Sequence, residues 1–384
     1  MPEPHPRTRR TLVVTNDLPP RQGGIEVFVD GLLRRFPADG AVVYTSAEPG
    51  ARTAAYDAQL PHVVVRDAAR TLLPTRGTAE RAVALARRFR CDTVWFGAAA
   101  PLGLLAGALR RDAGVRRVVA TTHGHEVWWA RTPGARSLLH RIGAGADVVT
   151  HLGERTRRAV APVLPPTTRL ERLVPGVDTD LFRPGLDPRP MRARHGIGPR
   201  TPLILCAARL VPRKGQDTLI EALPMVRRAV PGARLLLVGA GPDERRLRRI
   251  AAREGVPDAV VLAGGRPHAE LPGYYAAADV FAMPCRTRRA GLEVEGLGIV
   301  FLEAAAAGLP VVAGKSGGAP DTVCEGETGY VVDGRSPAAV ADRLVRLLRD
   351  RELARGMAGK GRDRVVREWS WERSYETLAD LLGR

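Results

Sequence analysis

Cysteine is scarce in this 384-residue chain. Cys91, Cys206, Cys285 and Cys324 are widely spaced and form no CxxC pair, so neither a disulfide framework nor a zinc site is indicated, and a reducing compartment fits. Long apolar runs are lacking too. The longest, 96–109, contains Pro101 and falls short of the roughly 20 residues that a membrane-spanning helix needs. The amino-terminal stretch 1–10 is rich in proline and arginine and has no apolar core of the kind a signal peptide carries. Acidic residues are outnumbered, 41 against 59 basic ones, giving a formal charge of +18. That balance admits nucleic acid, acidic lipid headgroups and phosphorylated substrates as partners. Aromatics make up only 5% of the chain and do not interleave with the arginines, so a nucleic-acid-binding surface is not expected. Lysine occurs only at Lys214, Lys315 and Lys360, so each departs from the chain's habit of using arginine.

Hydrophobic residues make up 45% of the chain, enough for buried cores in two or three domains. Residues 11–15 read as a β-branched strand, followed by a polar loop over 16–22, then Gly23-Gly24 and a helical apolar pattern from Ile25 to Phe36. Further strands are expected at 41–45, 62–65, 93–96, 117–121 and 147–150. Proline and glycine punctuate 174–184, which reads as an interdomain linker. A second alternating series follows, with strands at 202–206, 234–238, 260–263, 280–283, 310–313 and 329–332, and helices over 217–229, 243–254 and 269–278. Residues 336–382 read as mostly helical with a break at Trp369 and Trp371. Such alternation implies an α/β class of two doubly wound domains, whose ligands bind in a cleft at the carboxyl ends of the strands.

The stretch 295–303 reads as a ligand site. Glu295 and Glu303 bracket glycines that lead into an apolar helix starting near Gly298, whose free N–H groups suit an anion. The two carboxylates can reach opposite ends of a ligand under roughly 17 Å long, the size of a nucleotide sugar. The same pattern is also compatible with two solvated carboxylates beside a core helix. Arg209 and Lys214, on the loop after the strand at 202–206, offer a planar fork and a compact ammonium for a diphosphate. Gly23-Gly24 can admit a phosphate close to the backbone. His123, directly after the strand at 117–121, points from the first domain toward the same cleft. Two further patterns mislead. Gly239-Ala240-Gly241 begins like a dinucleotide fingerprint but carries Glu244 in place of the third glycine, and Asp178-Thr179-Asp180 resembles a metal-binding DxD yet sits in the linker.

Taken together, these residues resemble the retaining GT-B glycosyltransferases of family four over nearly the full length. The resemblance is carried by Gly23-Gly24, His123, the linker Pro175-Gly176-Val177-Asp178 with Phe182 and Pro184, Arg209, Lys214, Glu295 and Glu303. The run Met283-Pro284-Cys285-Arg286-Thr287-Arg288 through Gly291-Leu292-Glu293-Val294, and the turn Ser316-Gly317-Gly318-Ala319-Pro320, are similar to the actinobacterial GDP-mannose-dependent mannosyltransferases acting on phosphatidylinositol mannosides. The resemblance implies an N-terminal acceptor-side domain over 1–178, onto which 372–384 packs back, and a donor-binding domain over 179–371. It also implies that Glu303 holds the ribose and Glu295 the donor sugar. The backbone of Gly298, Ile299, Val300 and Gly23-Gly24 would contact sugar and phosphates, Arg209 and Lys214 would neutralise the leaving diphosphate, and His123 would lie near the reacting centre. His123, Arg209, Lys214 and Glu295 are thus the expected catalytic set. GDP-mannose is expected as donor substrate with no bound cofactor and no catalytic metal, and a phosphoinositol glycolipid as acceptor. The protein is expected in the cytoplasm, peripheral at the inner face of the plasma membrane, where an anionic surface would attract the basic first domain. UDP-glucose or UDP-N-acetylglucosamine, with a soluble or polysaccharide acceptor, is the alternative set of substrates.

Overall fold

A computed structural model describes residues 10–21 and 23–384. Residues 1–9, which hold most of the amino-terminal stretch read above, and Gln22 of the first loop lie outside the described residues. Contacts divide the chain into two compact units, one of Met1–Gly176 with Trp371–Arg384 and one of Val177–Ser370.

The first unit holds seven strands: Arg10–Thr15 (β1), Ala41–Thr45 (β2), Val63–Arg66 (β3), Cys91–Phe96 (β4), Arg117–Thr121 (β5), Val148–His151 (β6) and Arg169–Arg172 (β7). They pair in parallel in the order β3-β2-β1-β4-β5-β6-β7. Helices cover both faces, so the inner strands are apolar on both sides: β1 buries Leu12, Val13 and Val14, and β5 buries Val118, Val119 and Ala120. Each of these leucine and valine side chains contributes about 1.5–3 kcal/mol on burial. Trp95 in β4 is fully enclosed and donates its indole N–H to Thr121 Oγ1 at 2.9 Å. The last helix, Trp371–Leu382, lies against this unit, with Tyr375 5.2 Å edge-on from Phe36 and the Leu381 carbonyl accepting from Arg117 at 2.8 Å.

The second unit has six strands: Leu203–Ala207 (β8), Arg234–Val238 (β9), Val260–Gly264 (β10), Val280–Met283 (β11), Val311–Gly314 (β12) and Gly329–Val332 (β13). Their order is β10-β9-β8-β11-β12-β13, again parallel throughout. Both sheets run outward from a central strand and reverse direction beside it, between β1 and β4 in one and between β8 and β11 in the other. A ligand crevice opens beyond the carboxyl ends of the strands at such a reversal. Elements without a sequence reading include two held by distant partners. β7 is the polar segment Arg-Leu-Glu-Arg at a sheet edge, where no apolar alternation is required. The helix Arg189–Arg194 is held by the buried Arg192, which donates to the carbonyls of Ala277 at 2.9 Å and Thr201 at 2.8 Å.

Candidate functional site

In the second unit the two loops that flank the reversal are those leaving β8 and β11, and they carry the residues singled out in the sequence. Beyond β8 the chain makes a short 3-10 turn, Pro212–Lys214, and Gly215 follows in the left-handed region at φ 78. A Cβ there would lie 2.1 Å from the Pro284 carbonyl oxygen, so glycine lets this loop press against the one that follows β11. The close approach brings three charged side chains together. Lys214 Nζ is 2.9 Å from Glu295 Oε1 and 2.8 Å from Oε2, and Arg213 Nη1 is 2.7 Å from Oε2. Burial works to raise the Glu295 carboxyl, but the charges of Lys214 and Arg213 outweigh it and hold the group below its ordinary range.

The backbone of Glu295 is cradled by the turn after β12. Ser316 Oγ accepts from the Glu295 amide at 3.3 Å, and the Gly318 amide donates to the carbonyls of Glu295 and Gly296 at 3.1 Å each. Gly317, at φ 57, faces the Glu295 carbonyl so closely that a Cβ would collide with it at 1.5 Å. The Ser-Gly-Gly turn is thus a mould for the glutamate segment.

Gly298, left-handed at φ 87, caps the helix Ile299–Ala306. The first intrahelical bond runs from the Phe301 amide to the Gly298 carbonyl, so the amides of Ile299 and Val300 precede the hydrogen-bonded ladder and can receive an anion. On the next turn Glu303 is buried, with Oε2 accepting from Tyr275 Oη at 2.8 Å and Oε1 lying 2.8 Å from His268 Nε2. The hydrogen bond from His268 to Glu303, helped by the charges of Glu303 and Asp178, lifts the imidazole above its usual range despite burial. Burial and the Glu303 charge keep the Tyr275 phenol protonated. Phe182, from the stretch read as linker, packs edge-on beneath both rings, 5.2 Å from His268 and 5.5 Å from Tyr275. Arg209 is exposed and makes no side-chain hydrogen bond among the described residues, so its guanidinium is available to a ligand.

In the first unit, His123 follows β5 and is buried; its Nε2 donates to the Gly97 carbonyl at 2.6 Å. Desolvation lowers its basicity, so the ring is neutral at pH 7 and only Nδ1 is left to accept. The loop is fixed by Glu126, fully buried, whose Oε2 accepts from the amides of His123 at 2.9 Å and Gly124 at 3.1 Å. Asp17, beyond β1, shares this neighbourhood; burial pushes its carboxyl up against the opposing pull of His123, His125 and Arg21. Gly23 and Gly24 are exposed at the start of the helix Gly24–Leu33. The Glu26 carboxylate folds back to this helix start, 2.3 Å from where a Gly23 Cβ would stand, so an anion arriving there meets a carboxylate.

Several residues were not assigned from sequence. Arg213 adjoins Lys214 on the same loop but is one arginine among many, and Glu126, His268 and Tyr275 give no local signal beyond their types. The two misleading patterns have structural roles. Gly239 and Gly241 allow their loop to abut the Ala208 and Leu210 carbonyls, and Asp178 Oδ1 caps its own turn by accepting from the amides of Asp180 at 3.1 Å and Leu181 at 2.8 Å.

Comparison with known proteins gives the family. Residues 22–181 match the family model described as Glycosyltransferase Family 4, and residues 188–364 that described as Glycosyl transferases group 1. The chain is 50% identical over 384 residues to the GDP-mannose-dependent alpha-(1-6)-phosphatidylinositol monomannoside mannosyltransferase of Mycobacterium tuberculosis, covering 97% of this chain and 98% of that one. It is 44% identical to the corresponding monoacylated-acceptor enzyme of Corynebacterium glutamicum, with 98% of each chain covered. Among solved structures, Anabaena Alr3699/HepE in complex with UDP superposes with a TM-score of 0.80 at 20% identity, covering 97% of this chain and 99% of that one.

Proposed function

Since the chain belongs to the family 4 glycosyltransferases, hexosyl-transferring enzymes of the GT-B fold, we propose that it transfers mannose from GDP-mannose, with retention, to a phosphatidylinositol mannoside. The observation that carries this reading is the near-full-length identity with the mycobacterial and corynebacterial mannosyltransferases. The geometry of the second unit supports the donor half. Glu303 has both oxygens tethered by Tyr275 and His268 and keeps one lone-pair direction on each for a ribose diol. The Ile299 and Val300 amides face the diphosphate, Arg209 and Lys214 neutralise it as it departs, and Glu295 accepts from hydroxyls of the sugar. Loss of one such leaving-group donor commonly costs about 10²- to 10³-fold in rate. In the first unit, His123 offers a neutral acceptor nitrogen, which suits a sugar hydroxyl rather than an anion.

We place the protein at the inner face of the plasma membrane, held by charge. No described helix is long and apolar enough to cross a membrane. In the first unit Arg66, Arg76 and Arg81 are spent on Asp57, Glu80 and Asp67, which leaves Arg70, Arg87, Arg88 and Arg90 for an anionic surface at about 1 kcal/mol each. A groove of about 480 Å³ in the same unit, lined by Arg111, Arg141, Leu104 and Leu105 among others, suits a lipid phosphate with its first methylenes.

The reading is tested by mannose transfer from GDP-mannose to a phosphatidylinositol mannoside, with GDP and UDP compared in thermal-shift titrations. GDP should stabilise the protein more than UDP. Transfer from UDP-glucose or UDP-N-acetylglucosamine to a soluble acceptor, with none from GDP-mannose, would overturn it.

A further inference from the structure

Glu295 is one buried carboxylate facing two cations. The side chains of Glu295 and Lys214 are 7% and 11% exposed, and that of Arg213 is 32% exposed. The two cations are tied down differently. Arg213 Nη1 also approaches the Val294 carbonyl at 3.4 Å, and the Arg213 carbonyl accepts from the Arg286 amide at 2.8 Å, so this residue is anchored to the Glu295 segment and to the loop after β11. Lys214 has no side-chain hydrogen-bond partner but Glu295 among the described residues. An ammonium astride both carboxylate oxygens has committed two of its three N–H bonds. Its third N–H is free to meet a diphosphate, and an ammonium drawn toward that anion loosens its hold on the carboxylate.

We propose that Arg213 is a positioning residue, the standing counter-ion of Glu295, and that Lys214 is the exchangeable one, released to the donor diphosphate when nucleotide binds. This deepens the donor reading above and rests on it. Without Arg213, withdrawal of Lys214 would strand a buried carboxylate, which would then take up a proton and turn one acceptor oxygen into a donor. With Arg213 in place, Glu295 stays ionised and keeps its acceptor capacity for the sugar hydroxyls throughout. The other groups facing the trio do not compete. The Cys285 thiol is driven well up by burial, the Cys206 thiol beside Lys214 is pushed up to about 12, and Glu293 is turned to Arg288 and Arg289.

The proposal is tested on the full chain with Arg213→Gln, Arg213→Lys and Lys214→Gln. GDP and UDP are titrated calorimetrically at pH 6 in two buffers of different ionisation enthalpy, so that protons taken up on binding are counted. A failure of the GDP-mannose reading then appears as preference for UDP, and the proton count is read on whichever nucleotide binds. Wild type should show only the proton release of the nucleotide's own terminal phosphate, whose second pKa lies at about 6. Relative to wild type on the same nucleotide, R213Q should take up a substantial fraction of one proton more, approaching about one per site, because removing both cations raises the carboxyl pKa. Its acid limb for turnover of the nucleotide sugar should move to higher pH, R213K should restore both properties, and nucleotide affinity should fall far less in R213Q than in K214Q. Wild-type proton counts in R213Q, or an affinity loss as deep as that of K214Q, would overturn the proposal, the latter by making Arg213 a phosphate ligand. If R213Q does not fold, wild type alone decides: proton uptake on nucleotide binding at pH 6 would show that Arg213 does not keep Glu295 ionised.

Discussion

Replacing Glu303 with glutamine tests the ribose assignment most directly. The carboxylate already accepts one bond at each oxygen, from Tyr275 and from His268, both at 2.8 Å. Two acceptor directions remain, matching the two hydroxyls of a ribose. Glutamine keeps the shape, removes the charge and converts one oxygen into a donor facing either Tyr275 or His268. A hydrogen bond to a charged group is worth about 1.5–3 kcal/mol, so losing one should weaken GDP binding roughly 10- to 150-fold. The decisive assay is a cycle of calorimetric titrations pairing wild type and E303Q with GDP, 2′-deoxy-GDP and 3′-deoxy-GDP. Wild type should lose about tenfold or more for each missing hydroxyl, and E303Q less than about threefold, because its acceptor is already degraded. If E303Q pays the same factor as wild type for a missing hydroxyl, the carboxylate is not on the ribose and the directional reading of the site falls.

Three further outcomes follow from contacts in the second unit. The His268 imidazolium is held above its usual range by Glu303, so its contribution to stability is complete below about pH 6.5 and is lost as pH rises through the elevated value. The melting-temperature gap between wild type and H268Q should therefore be wider at pH 5.5 than at pH 9; equal gaps would refute this. Asp217 is buried between Arg286 and Arg246, and D217N should destabilise the second unit by about 3 kcal/mol by leaving the largely covered Arg286 uncompensated. An unchanged unfolding midpoint in denaturant would contradict that account. G317A must displace the Glu295 carbonyl, and a shift of about 1 Å can cost roughly 10²-fold in turnover. GDP binding, anchored at Glu303, should persist, and steady-state kinetics beside GDP titration will separate the two.

Most of the fold was legible because its information is local. Strands such as Val280–Met283 and Leu203–Ala207 are short apolar runs buried on both faces, and parallel sheets demand that pattern. The elements that escaped are those whose existence depends on distant partners. β7 is a polar edge strand defined by its pairing with β6. The helix Arg189–Arg194 has too few apolar residues to announce itself and depends on carbonyls far along the chain, such as that of Ala277.

The site divides along the same line. Residues that act through backbone geometry were readable because glycine announces them: Gly298 marks the start of a helix with free amides, and Ser316-Gly317-Gly318 marks a turn that something must fit against. What that something is, the segment around Glu295, is a tertiary fact. Charged side chains were readable as candidates but not as partners. Lys214 drew notice because lysine is rare here, whereas Arg213 was hidden among many arginines, yet the two share one carboxylate. The concealment has a physical origin. In so arginine-rich a chain, residue type carries little information about role, and only burial and distance separate a structural arginine such as Arg192 from one such as Arg209, whose side chain has no hydrogen-bond partner among the described residues. The same reasoning identifies what matters at Glu303. The sequence showed an isolated acid on an apolar helix, whereas the structure shows a carboxylate whose remaining lone pairs are aimed by Tyr275 and His268, with Phe182 fixing both rings from beneath. The selectivity of that end of the site therefore depends on Phe182, Tyr275 and His268 as much as on the glutamate they orient.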